Sequence, residues 1–161
     1  MLMKRISKFK EKGQSLVELA ISLVVLLYLL SGVVDFGIAF FQFIQLRDAA
    51  QEGALFASVN PENETGIINR VRYASEEPID LANNIVGDPR RVIVTVTAYD
   101  QTSLAEKALN TACPGDGIQV EVEFDHKIFM PFIPTLIGSN IIHLNGRVTD
   151  TVLQSSYSGC P

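Results

Sequence analysis

Hydrophobic and polar positions alternate with three different textures along the chain. Residues 19–34 are sixteen consecutive positions without a formal charge, and Leu16 and Val17 extend the apolar character to the other side of Glu18. As a helix, 16–34 measures about 28 Å, close to the hydrocarbon thickness of a bilayer. The helical pattern continues beyond Asp35, because no proline intervenes before Pro61 and Phe43, Leu46, Ala50, Gly53 and Ala57 recur every three or four residues. One long helix is therefore predicted over 14–57, membrane-spanning over about 16–36 and amphipathic afterwards. Its small residues Ala49, Ala50, Gly53 and Ala54 allow close approach of another surface, either the chain's own sheet or a neighbouring subunit.

The third texture is that of short elements in a C-terminal domain, 58–161. Asn60-Pro61-Glu62-Asn63 breaks the long helix, and Ile67, Ile68, Val71 and Ala74 predict a short amphipathic helix over 66–75, with a further turn or two over 79–86. Strands are predicted over 92–99, 118–124 and 140–152. The second alternates strictly, Ile118, Val120, Val122 and Phe124 against Gln119, Glu121, Glu123 and Asp125, which gives it one buried and one wet face. Ser103-Leu104-Ala105-Glu106 has the spacing of a capping box, so a helix is expected over 104–111. The apolar loop Phe129-Met130-Pro131-Phe132-Ile133-Pro134 is expected to be buried under the long helix, with an exposed subunit contact as the alternative. The fold class these patterns favour is α+β: a long N-terminal helix whose outer half packs on a small antiparallel sheet.

Charge adds a direction. Lys4, Arg5, Lys8, Lys10 and Lys12 precede the apolar run, so the positive-inside bias leaves the N-terminus in the cytoplasm and the C-terminal domain outside, in a single pass. A secretory signal peptide is disfavoured, since Tyr28, Leu30 and Gly32 give no small-x-small pair and the apolar run is longer than a usual h-region. A plain signal anchor does not explain Glu18, a carboxylate inside the apolar segment that costs about 2 to 3 kcal/mol on insertion scales and calls for a partner. A new α-amino group, made by cutting between Gly13 and Gln14, is the natural candidate. Residues 1–13 then form a basic leader. They hold five of the 13 basic and one of the 18 acidic residues, so 8 and 17 remain after removal, a net charge of −9. Such an acidic chain is a poor nucleic-acid binder.

The string Gly13-Gln14-Ser15-Leu16-Val17-Glu18-Leu19-Ala20, with Val34-Asp35-Phe36-Gly37 and Ala49-Ala50-Gln51-Glu52-Gly53-Ala54, resembles the TadE-like family of tight-adherence pilus pseudopilins. Leu19 stands where that family commonly has an aromatic residue. The resemblance implies a pilin-like α+β outline, removal of the leader by a membrane prepilin peptidase, and assembly with other pilin or pseudopilin subunits on a pilus assembly platform. It implies an assembly role for Glu18, and it is the only support for one at Asp35, whose other reading is a solvated residue at the outer membrane boundary.

Cys113 and Cys160 are the only cysteines and both fall in the part expected to face an oxidising compartment. A disulfide between them is expected, two free thiols being the alternative. Catalytic patterns are missing: no serine lies in a nucleophile elbow, no glycine loop carries a phosphate-binding lysine, and His126 and His143 do not make a zinc site with two distant cysteines. No enzyme, cofactor or metal is expected. The sequence thus predicts a structural minor pilin or pseudopilin of the inner or cytoplasmic membrane, carried into an extracellular pilus. The competing prediction is a membrane-anchored extracellular binding module with an uncleaved signal anchor.

Overall fold

The computed structural model describes residues 9–75, 77–130 and 133–160, with the side chains of 9–12 and 136 outside that description. The leader residues Lys4, Arg5 and Lys8, and Pro131 and Phe132 of the apolar loop, therefore lie outside the described residues. The chain divides into two compact units, Met1–Gly37 and Ile38–Pro161.

Helix α1 runs over Phe9–Val59, longer at both ends than the predicted 14–57. It crosses the division, so its last part belongs to the C-terminal unit. In the first unit, large apolar side chains are exposed on every side of the helix, Leu16, Leu19, Ile21, Leu26 and Leu29 among them. Water does not tolerate such a surface, and a helix apolar all round belongs in a core or a bilayer. Asp35 is only 6% exposed, so the expectation of a freely solvated residue is corrected.

The C-terminal unit is built on a four-stranded antiparallel sheet of order β2-β1-β3-β4: β1 (Ile93–Tyr99), β2 (Glu106–Lys107), β3 (Gly117–Lys127) and β4 (Ile141–Thr151). The α+β class is therefore observed. Alternation in β3 works as predicted: Ile118, Val120, Val122 and Phe124 are buried, and Glu123 on the other face is exposed. These residues pack with Leu46, Ala50, Ala54 and Ala57 of α1, and with Ile67 and Val71 of α2 (Glu64–Arg72), in one core.

Two glycines let backbones come close. A Cβ at Gly53 would stand 2.5 Å from Val71 Cγ2 and 3.2 Å from Val120 Cγ1. One at Gly146, which pairs with Val122, would stand 2.6 Å from the Leu46 carbonyl carbon and 2.7 Å from Arg47 N. The small-residue face of α1 thus approaches the chain's own sheet.

Several local expectations are corrected. No helix forms over 104–111: Asp100 takes the Thr102 and Ser103 amides on Oδ1, at 3.0 and 2.8 Å, together with the Ser103 hydroxyl, at 3.0 Å. The chain turns back there, pairing Tyr99 with Glu106 and Ala98 with Lys107, and only the 3-10 turn Leu109–Thr111 is helical. Asx chemistry immediately upstream outcompetes the capping box, because both use the same short-range donors. Helix α2 begins earlier than predicted, with Asn63 Oδ1 accepting from Gly66 N at 2.9 Å. Residues 79–86 form no helix, with turns only at 81–82 and 86, and Ile85 and Val86 are exposed. The apolar loop is mixed: Ile128 and Met130 are buried, Phe129 is 79% exposed, and a short α3 (Ile133–Ile137) forms at its end.

Candidate processing and assembly segment

Gly13, Gln14 and Glu18 all lie within α1 and are exposed. A Cβ at Gly13 would meet no atom within 4 Å, so nothing in the described chain requires glycine there for packing. Gln14 and Glu18 are four residues apart and share one helix face, separated by about 6 Å along the axis. Asp35 lies seventeen residues beyond Glu18 on the same helix. Helix α1 is apolar over a stretch long enough to cross a membrane, and none of that stretch is buried inside the protein. That distinguishes it from the core helix of a soluble domain, which would be mostly buried.

The C-terminal unit carries polar devices of a structural kind. Cys113 and Cys160 are joined, with an S–S distance of 2.13 Å and Cα atoms 5.5 Å apart, tying the tail to the turn before β3. In that turn, buried Asp116 accepts from Cys113 N at 2.7 Å, Gln101 N at 3.1 Å and Lys107 Nζ at 2.7 Å. Burial pushes its carboxyl up, but the Lys107 ammonium and the two amides outweigh this and hold it below the ordinary 3.8.

Two further contacts were invisible to periodicity. Gln45 is buried in α1 and clips the loop after α2, its Nε2 donating to Ile79 O and its Oε1 accepting from Ile79 N, both at 2.8 Å. His126 points inward from β3, with Nδ1 2.6 Å from Gln42 Oε1, and its buried Nε2 has no hydrogen-bond partner among the described residues. The only hint in the sequence was that His126 continues the inward alternation of β3 two residues past Phe124.

The acidic strand face is paired rather than clustered. Arg147 Nη2 donates to Glu121 Oε1 at 2.8 Å, Asn145 donates to the same oxygen, and His143 Nδ1 lies 2.5 Å from Asp125 Oδ1. A cleft of about 310 Å³ runs along it, with Arg91, Glu123 and His143 in its walls. Among the described residues no three His, Cys, Asp or Glu side chains gather as a metal site.

The TadE-like protein family matches residues 13–55, the segment that holds Gly13, Gln14, Glu18 and Asp35. Comparison with curated proteins and with solved structures finds no significant match. Residues 13–55 are thus similar to the TadE-like family, and the long apolar helix that carries them is a candidate membrane anchor.

Proposed function

We propose that the chain is a minor pilin or pseudopilin of a tight-adherence pilus, cut after Gly13 by a prepilin peptidase. The observation that carries this reading is the TadE-like match over 13–55 on a helix whose exposed apolar surface holds an exposed carboxylate at Glu18. The apolar part of α1 stores the subunit in the cytoplasmic membrane, N-terminus inside, and packs against other subunits' helices in the filament. Glu18 pairs there with the α-amino group of Gln14 of an adjacent subunit. Only the correct axial register then neutralises two charges that are costly in a dry interior. The disulfide-tied outer unit forms the filament surface.

The test is the N-terminal residue and intact mass of the protein from its native membrane. A chain beginning at Gln14 is expected, and a chain beginning at Met1 in cells with an active peptidase would favour the anchored binding module. Glu18→Ala is expected to insert normally but to enter filaments poorly, and normal incorporation would remove the pairing.

A further inference from the structure

The C-terminal unit has a direction that its internal contacts define. Leu153 N donates to Ser58 O at 2.7 Å, Gly53 faces Val120, Gly146 faces Leu46, and His126 meets Gln42. From Ser58 back to Gln42, α1 is thus followed by β3 running from Val120 to His126. The loop after Lys127, closed at its base by Ile128 N donating to Asn140 O at 3.0 Å, therefore lies at the Ile38 end of this unit. That is the end at which the chain arrives from the apolar segment.

Two stretches at this end are without formal charge, 38–46 of α1 and 128–142 of the loop and the start of β4. It also shows large apolar groups to the outside. Phe41 is 68% exposed, Phe129 79% and Ile137 52%, with Phe40 at 52% and Ile142 at 38%. Charged groups flank these stretches, with Lys127 exposed at the end of β3 and Glu77, Asp80 and Arg90 beside Gln42, and an aromatic and aliphatic rim edged by charge suits the boundary between headgroups and acyl chains.

We infer that the β3–β4 loop, through Phe129 and Ile137, seats the outer unit in the outer face of the lipid bilayer before assembly. The occupant is lipid because a membrane span is the covalent continuation of α1 at this end, and the inference rests on that anchor reading. The loop acts as a second shallow foot that limits rotation of the unit about the helix. Leaving the membrane for a filament then requires the foot to withdraw as well as the helix.

The chain contains no tryptophan, so a single introduced one reports its own surroundings. Full-length Phe129→Trp and Ile137→Trp variants are reconstituted in phosphatidylethanolamine–phosphatidylglycerol vesicles containing phosphatidylcholine brominated near the carbonyl end of its chains or, to read the anchor at the bilayer centre, near their methyl end. Leu26→Trp, within the apolar run, reports the anchor. Leu104→Trp, 75% exposed at the opposite end of the sheet, reports water. Blue-shifted emission that loses most of its intensity to bromolipid is expected for Phe129→Trp and Ile137→Trp, with Leu104→Trp unaffected. Leu26→Trp quenched while both loop variants behave like Leu104→Trp would overturn the inference and leave the anchor standing. Failure of Leu26→Trp to be quenched would overturn both. Blue-shifted loop emission that ignores bromolipid and follows protein density would overturn it in favour of contact with a second copy.

Discussion

Gly146 offers the sharpest test of how the helix and sheet are joined. Neither Gly146 nor Gly117, also in this sheet, has a positive φ, so alanine is conformationally acceptable at both. They differ in what the new methyl meets. At Gly117 the nearest atoms are Thr149 Cγ2 and Tyr99 Cβ, both 3.8 Å away, an ordinary contact. At Gly146 the Leu46 carbonyl carbon, Arg47 N and Leu46 O lie at 2.6, 2.7 and 2.8 Å. All three are helix backbone, so no side-chain rotation relieves them, and β4 and α1 must separate by about 1 Å to restore normal contact. Overpacking of this kind costs about 1–3 kcal/mol, and a rigid obstacle places it at the upper end. The smaller freedom of alanine in the unfolded chain returns about 0.4–1 kcal/mol at both sites. The net expectation is a loss of about 2 kcal/mol for Gly146→Ala and a gain of up to about 1 kcal/mol for Gly117→Ala. With about 4 °C per kcal/mol, Gly146→Ala should melt about 8 °C lower. The assay is thermal denaturation of the full chain in detergent, followed by near-ultraviolet circular dichroism with the disulfide intact. Equal melting of Gly146→Ala and the parent would refute a close backbone approach at Leu46.

Three other outcomes follow from the same contacts. Gln45→Leu leaves the buried amide and carbonyl of Ile79 without their partner, at about 1–3 kcal/mol for each orphaned group, and should expose 73–91 to hydrogen exchange first; unchanged exchange there would count against the clip. Reduction of Cys113–Cys160 releases a 47-residue closure and should cost about 2–4 kcal/mol, read as a lower melting temperature and easier proteolysis of the tail. The Asp116 carboxyl is held below its ordinary 3.8 in the folded protein, so its stabilising contribution is complete above that value and is lost as pH falls through the lowered folded value. Asp116→Asn should therefore melt lower than the parent at neutral pH, with the gap closing in acid; a gap independent of pH would refute the assignment.

What the sequence determined by itself is what one-dimensional periodicity encodes. The long apolar helix is legible because sixteen uncharged residues need no partner to be recognised, and β3 is legible because its alternation is local. The TadE-like segment is legible for the same reason, being a continuous string at 13–55. Tertiary structure decided everything that depends on a distant or competing partner. Asp100 turned a capping-box sequence into a hairpin, since two local hydrogen-bonding schemes of similar strength are separated only by what else they allow to pair, here Glu106 with Tyr99 and Lys107 with Asp116. Gln45 and Gln42 found their roles only through Ile79 and His126, 34 and 84 residues away, which no local pattern brings to them. Gly53 and Gly146 gained their meaning only when β3 and β4 lay across α1, because a missing side chain carries information solely through the atoms that occupy its place.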